Sequence, residues 1–317
     1  MILSVEEIEK RIADSYELPN RVIEKKPHPV VSVRTSTYNH GPYIRQCIEG
    51  VLMQRTTFPF EFIIGEDFST DETRKIVFEY AEKYPDIIRV ITADYNVGTK
   101  ANGRRCIRAC RGKYIAICEG DDYWIDPLKL QKQVEFLEKN PEYGLVCTDV
   151  NFYYQEQGKF LKAFFKSKKY PIKYTYEDFL VKGWYLAPCT WLYRKEFLKS
   201  VPAGFVVGDL SLLLEISAQS NVKFFSDVTA VYRILESSAS HFKTFEKACA
   251  FNEGILKIKY YYIRKNRNSN VKRQVLIEWY IGMIKTSLKY KKYKSVFYYF
   301  ILLICLYLHL IPMKNEA

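Results

Sequence analysis

Residues 30–52, VVSVRTSTYNHGPYIRQCIEGVL, read as a strand, a polar turn and a helix in succession. Val30, Val31 and Val33 form a β-branched apolar run suited to a sheet interior. Ser36 to Pro42 is the turn. Ile44, Cys47, Ile48, Val51 and Leu52 then recur at i, i+3, i+4, i+7 and i+8, one apolar face of a helix. The pattern repeats outward from there. Phe60 to Gly65 is a second strand, followed by a helix that Asp71 caps, with Ile76, Val77, Tyr80 and Ala81 inward. Ile87 to Thr92 is a third strand, and residues 100–110 a helix. Tyr114 to Cys118 is a fourth strand, and Asp126-Pro127 opens a helix carrying Leu130, Val134 and Leu137. This alternation predicts an α/β fold: a Rossmann-like, mostly parallel sheet with helices on both faces, wound by right-handed crossovers. Such sheets bind ligands beyond the carboxyl ends of their strands. The turns at 36–40, 66–71 and 119–122 are therefore expected to converge on one crevice.

After Asp149 the alternation becomes irregular. Phe152 to Phe165 reads as a hairpin, Tyr185 to Tyr193 as a strand, Leu210 to Ala218 as a helix and Val222 to Ile234 as strands. Residues 1–27 form a short amphipathic lead-in. Residues 243–294 look helical and dense in Lys and Tyr, and Val296 to Ile311 is an apolar run. No internal repeat or low-complexity linker appears.

Of the 317 residues, 48% are hydrophobic and 26% charged, which excludes a disordered or collagen-like chain. The net charge is +12, but residues 243–317 alone hold 15 basic and 4 acidic residues, a net +11. A near-neutral body with a basic end is not the footprint of a nucleic-acid binder, which is basic on the folded domain itself. Eight cysteines occur without a C-x-x-C pair or zinc spacing, as expected of reduced, buried thiols in the cytoplasm. Glu6, Glu7 and Glu9 near the start do not suit a signal peptide. Neither G-x-G-x-x-G nor G-x-x-x-x-G-K-[ST] is present, so neither a standard dinucleotide fingerprint nor a P-loop is expected.

Adjacent carboxylates at Asp121 and Asp122, just past a buried strand, repel each other unless a cation intervenes. A divalent metal held by one carboxylate and two phosphates would satisfy them; the bland reading is a solvated, helix-capping acidic loop. The turn Thr35 to Gly41 offers hydroxyls and an aromatic to a base, ribose or phosphate, or is simply a polar turn. Asp67 lies one step past its strand, placed to accept from a base N–H, whereas Asp71 reads as a cap. Lys100, Asn102 and Arg104 follow the third strand, and a solvated helix face suits Arg104 and Arg105 at least as well as a ligand contact. Asp209, after Gly208, opens an apolar helix and reads most simply as its N-cap. His40 and His241 are surface histidines or diphosphate and metal contacts. Trp184, Tyr185 and Trp191 are core residues or an aromatic platform for a sugar face.

Taken together these motifs resemble the inverting family 2 glycosyltransferases of the GT-A fold. The resemblance rests on Val31-Ser32-Val33 with Thr37-Tyr38-Asn39, Gln54, and Glu66-Asp67-x-Ser69-Thr70-Asp71-x-Thr73. It continues through Asn96-x-Gly98, Gly112-Lys113-Tyr114-Ile115 and Asp121-Asp122-x-Trp124 to Pro127-x-Lys129-Leu130. The chain departs from the family at Glu66 and Glu119, where Asp is frequent, and at Ser36, where Pro is frequent. The resemblance implies a metal-dependent enzyme that moves a sugar from a nucleotide diphosphate, most readily a UDP-sugar, to a hydroxyl acceptor with inversion, in surface polysaccharide or glycolipid synthesis. It implies nucleotide contacts from Ser36, Tyr38, Asp67, Lys100 and Asp121, with Asn102 and Arg104 beside Lys100 toward phosphate or hexose, a Mn²⁺ or Mg²⁺ ligand at Asp122 with His241 as a weaker one, and Asp209 as catalytic base, with Asp178 and Asp227 as weaker candidates for that base. It implies a GT-A domain over 28–240, with a nucleotide-sugar half (28–149) and a smaller mixed acceptor half (150–240), and a helical extension over 241–317.

Two rivals remain at this level. A nucleotidyltransferase shares a related sheet but needs a Gly-rich, Arg-containing loop that 36–42 lacks; a catalytically inactive membrane-docked scaffold would keep the fold without turnover. Residues 285–312, basic and then apolar, suit either peripheral contact with the inner face of a membrane or a helical hairpin on Val275, Leu276, Trp279 and Met283.

Overall fold

The computed structural model describes residues 3–20, 22–23, 27–168, 174–183, 186–200, 205, 208–236, 242–264 and 269–308. The first elements are α1 (Val5–Ala13), β1 (Tyr16–Glu17), β2 (Val31–Thr37), α2 (Ile44–Leu52), β3 (Phe60–Glu66), α3 (Thr73–Lys83), β4 (Ile88–Thr92), α4 (Thr99–Ala109) and β5 (Tyr114–Ile117). There follow β6 (Tyr123–Trp124), α5 (Lys129–Lys139), β7 (Tyr143–Tyr154), β8 (Lys159–Leu161), α6 (Phe164–Ser167), α7 (Tyr176–Lys182) and β9 (Leu192–Arg194). The chain continues through α8 (Gly208–Ser217), β10 (Asn221–Ile234), α9 (Phe245–Ile263), α10 (Ser269–Lys289) and α11 (Tyr293–Tyr307).

The strands form one sheet in the order β1-β4-β3-β2-β5-β9-β7-β10-β6, with β8 paired to β7. The pairs β3–β4, β2–β3, β2–β5 and β7–β10 are parallel. The short β9 is antiparallel to both β5 and β7, so β7 and β10 run the same way as the first block. Six long strands thus share one direction, and their carboxyl ends share one edge. The buried faces of Val31, Val33, Phe62, Ile63, Ile64, Tyr114 and Ile115 build the core. Successive side chains of a strand point to opposite faces, and β2 shows what covers each. Thr35 Oγ1 meets Cys47 Sγ of α2 at 3.7 Å. Ser36 Oγ lies 3.8 Å from where a Cβ on Gly103 of α4 would stand.

The hairpin expected at 152–165 is present as β7–β8. The strand expected from Tyr185 to Tyr193 is only Leu192–Arg194. Pro188, which has no N–H to give a ladder, instead starts a 3-10 turn over Pro188–Thr190; Trp184 and Tyr185 lie outside the described residues. The sequence reading passes over the part of β7 before Phe152, β1 and β6. The last two are two-residue strands on the sheet's outer edges, too short to leave a periodic signature.

The chain divides into two compact units. One comprises Met1–Lys173, Leu186–Ser200 and Gln219–Leu235 and holds the whole sheet. The other comprises Tyr174–Tyr185, Val201–Ala218 and Glu236–Ala317 and is helical, with α7–α11. Within it, the Tyr262 hydroxyl of α9 donates to the Ser211 carbonyl of α8 at 3.0 Å. α10 and α11 form a hairpin: Trp279 meets Tyr299 edge-on at 5.9 Å, and Arg273 donates to the carbonyls of Leu306 and Tyr307 near the end of α11. Val275 and Met283 are fully buried.

Candidate active site

The site begins where β2 and β5 end side by side. Arg34, inside β2, donates to Glu119 Oε1 at 2.9 Å, and the Ser36 amide donates to Glu119 Oε2 at 3.0 Å. The Gly120 amide donates to the Ser36 carbonyl at 3.2 Å. Burial is the largest single influence and opposes the Arg34 charge, but Glu119, with Tyr193, Cys106 and Cys110 adding to it, raises the pKa overall and holds the guanidinium protonated. Glu119 is thus the brace that ties the turn after β5 to β2. Gly120 is required there for space: a Cβ would stand 2.6 Å from His40 Nδ1 and 2.7 Å from Thr37 Oγ1.

Asp121 and Asp122 come next. Asp122 is 3% exposed, and its Oδ1 accepts the amide of Arg233 from β10 at 2.8 Å. The Arg233 side chain returns to the same turn: Nε donates to the Asp121 carbonyl at 2.8 Å. Its other nitrogens donate to Gln46 Oε1 at 2.7 Å and to Gln155 Oε1. The guanidinium lies over the rings of Tyr43, Tyr123 and Tyr153, 4.7 to 5.6 Å from their centroids. Burial, then the charges of Asp121 and Glu119, push the Asp122 carboxyl well above the usual range, against the Arg233 amide. Burial likewise raises Asp121, with His40 and Arg233 opposing and Glu119 adding. This pair carries two negative charges only at high cost unless a cation joins it. Among the described residues, no group of three or more His, Cys, Asp or Glu is arranged to hold a metal.

The turn after β3 meets the turn after β2 from the other side. The Asn39 amide donates to Ser69 Oγ at 3.1 Å, the Thr70 amide to Asn39 Oδ1 at 2.9 Å, and the Gly41 amide to Asp71 Oδ2 at 2.9 Å. The Asp67 amide donates to the Thr37 carbonyl at 3.0 Å. Tyr38, between Thr37 and Asn39, is 44% exposed. The three turns expected to converge are therefore joined through β2.

The Asp67 carboxylate is buried and accepts the amides of Val97 at 2.8 Å and Gly98 at 3.0 Å, with Arg105 at 3.7 Å. It pins the turn before α4. Burial raises its carboxyl above the ordinary range, against those two amides and Arg105. Lys100 stands in the first turn of α4, and its Nζ is buried with no hydrogen-bond partner. Burial, reinforced by Arg104, lowers its pKa. A buried cation without an acceptor is suited to an incoming anion.

Arg105 is not on a solvated face. It is 3% exposed and donates to Asn102 Oδ1 and to the Glu66 carbonyl. Its i+4 spacing from the apolar Ala101, on the face shared with Asn102 and Cys106, is the signal for that burial. Trp191 is fully buried and belongs to the core. Asp178 closes a capping box with Thr175, and Asp227 lies 3.6 Å from Lys132. Asp209 is in the helical unit, in the first turn of α8, where its Oδ1 accepts the Leu210 amide at 2.8 Å. His241 lies outside the described residues. The Arg34–Glu119 brace and the hold of Arg233 on Asp122 are absent from the sequence reading, because each joins residues more than eighty positions apart.

The family described as glycosyl transferase family 2 matches residues 32–201. An uncharacterized protein of Mycobacterium tuberculosis is 35% identical over 207 residues, 64% of this chain and 58% of its own length. The chain thus spans under two thirds of that relative. A chondroitin synthase of Escherichia coli is 30% identical over 120 residues, 38% of this chain and 17% of its own. Two solved structures share the fold. The S. aureus protein TarS (residues 1–349), in complex with UDP-GlcNAc, superposes with a TM-score of 0.56 at 17% identity, over 90% of this chain and 93% of that one. The mannosyltransferase PcManGT of Pyrobaculum calidifontis, in complex with GDP-Man and Mn²⁺, superposes with a TM-score of 0.52 at 15% identity, over 96% and 92%. With the matched span covering more than half the chain and the three turns gathered at the carboxyl edge of a parallel sheet, the protein belongs to glycosyl transferase family 2 and has the GT-A fold.

Proposed function

We propose that the protein transfers a sugar from a nucleotide diphosphate, with UDP the leading carrier, to a hydroxyl acceptor with inversion at the anomeric carbon. The observation that carries this reading is the buried Asp121-Asp122 turn, clamped by Arg233 and Glu119 against the polar end of β2. Ser36, Tyr38 and Asp67 would hold the nucleoside and Asp121 the ribose. Asp67 would do so while pinning Val97 and Gly98, since a carboxylate oxygen has two lone pairs. Lys100 would meet the diphosphate. Asp122 would hold Mn²⁺ or Mg²⁺, with the remaining ligands coming from the diphosphate and His241 a lesser candidate. The raised Asp121 and Asp122 carboxyls, and the oxygen-only donors they offer, fit such an ion. The bound ion would neutralise charge on the departing diphosphate. Asp209 would take the proton of the acceptor hydroxyl during in-line attack. The named sugar nucleotides of TarS and PcManGT support a nucleotide-sugar donor, and the chondroitin synthase supports a glycan acceptor, lipid-linked in the reading we favour. Free, mostly buried thiols support a reducing, cytoplasmic setting.

Calorimetry with UDP and Mn²⁺ tests the site. Wild type should bind the nucleotide more tightly with the ion present, and Asp122→Ala should abolish that gain. Equal affinity in both proteins would remove Asp122 from the metal site. A product assay separates the nucleotidyltransferase rival: release of nucleoside diphosphate supports the proposal, and release of pyrophosphate overturns it.

A further inference from the structure

Among the described residues, the α10–α11 hairpin leaves one face of α11 without a partner. Tyr293, Phe297, Phe300, Ile304 and Tyr307 recur at i, i+4, i+7, i+11 and i+14, a single stripe along the helix. Each is between 41% and 68% exposed. The opposite side, with Tyr299 and Leu306, is the one turned to α10. Large apolar side chains gathered in one exposed stripe mark an interaction surface. Lys289, Lys291, Lys292 and Lys294, all exposed, stand at the start of that stripe. We propose that α11 docks in the plane of an anionic lipid bilayer, its aromatic and aliphatic stripe entering the headgroup boundary and its lysines meeting the lipid phosphates.

Three observations choose this occupant. Residues 243–317 carry a net +11, so two copies joined through this face would press like charges together, whereas an anionic surface complements them. The stripe mixes Tyr and Phe with Ile, the composition of an interfacial rather than a buried seam. At about 1.5 Å per residue the 15 residues of α11 span about 22 Å, short of the ~30 Å hydrocarbon core. Among the described residues no helix is long and apolar enough to cross a membrane. An in-plane helix is the remaining geometry.

The test is co-sedimentation of the full chain with vesicles of phosphatidylcholine, with and without phosphatidylglycerol. Wild type should bind the anionic vesicles, and added salt should weaken the binding. Replacing Phe297, Phe300 and Ile304 together by Ser should lower affinity at least ~10-fold, since each removes a large apolar group from the boundary. The thermal midpoint should stay unchanged, because all three are exposed. Replacing the four lysines by Gln should lower affinity by roughly 600-fold, each lysine contributing roughly fivefold. Failure of wild type to bind anionic vesicles would overturn the proposal, as would equal binding by the triple variant. So would a wild-type oligomer in sedimentation velocity that the triple variant dissolves while binding vesicles equally well, since the stripe would then be a protein interface. The proposal does not depend on the transferase reading: vesicle binding needs no donor, and nucleotide calorimetry on the same samples reports on that reading separately.

Discussion

Arg233 shows how one side chain sets the geometry of a site it does not chemically serve. Its backbone and side chain both bond the Asp121-Asp122 turn, and three rings and two glutamines fix the guanidinium. Lys offers a point charge in place of that planar fork. Arg233→Lys should therefore cost about 2–3 kcal/mol in urea unfolding and weaken Mn²⁺-dependent nucleotide binding by about tenfold or more. Wild-type stability in that variant would show the clamp to be redundant. Lys129 is a different case. It is fully buried, with Nζ donating to Gln133 Oε1 at 2.8 Å and lying 4.2 Å from the Trp124 ring centroid. Burial lowers its pKa to about 7, while in the unfolded chain it is about 10.4. Between those values the unfolded chain binds more protons, so this group makes the fold more stable as pH rises through that window. Lys129→Met keeps the volume and removes the titration. The stability of wild type relative to the variant should rise from about pH 7 to about pH 10, and parallel pH curves would contradict the burial assignment. Lys129 stands in the Pro127-x-Lys129-Leu130 motif, and Arg233 in the stretch from Val222 to Ile234 that reads as strands. Their roles were illegible there, because Arg233 and Asp122 lie 111 positions apart.

Among elements, the strands and helices of the first 140 residues follow from periodicity. Each helix buries a face that its own spacing defines, and each long strand is a β-branched or aromatic run. What periodicity does not encode is how closely the elements approach. A Cβ on Gly50 of α2 would stand 2.8 Å from the Trp124 amide nitrogen, so α2 packs on the backbone of β6. Gln54 completes the join, donating to the Asp126 carbonyl at 2.8 Å and accepting the Leu130 amide at 3.1 Å. Gly120 plays the corresponding part between the turns after β2 and β5. Gly120→Ala should lower stability by about 1–3 kcal/mol through overpacking, with a larger loss of nucleotide affinity than a surface substitution would give. An unchanged melting temperature would mean that His40 can rotate away at no cost.

At the scale of the molecule, the two compact units divide the proposed tasks: the nucleotide residues and Asp122 stand in one, and the proposed base in the other. Asp209→Asn should keep nucleotide affinity while lowering turnover at least ~10²-fold, the scale of general-base loss; retained turnover would leave Asp209 as a helix cap only. The sequence by itself determined the alternating α/β order, the family, the polar turns at the strand ends and the concentration of positive charge after residue 243. These are local properties, written in residue type and spacing. Only the tertiary structure decided that Glu119 braces Arg34, that Arg105 is buried, that Arg233 holds the aspartate turn, and which face of α11 stays bare. Those outcomes depend on which distant strands become neighbours. Burial then fixes the partners that Arg34, Arg105 and Arg233 find, because an unpaired charge in the interior takes up a large share of the chain's small net stability.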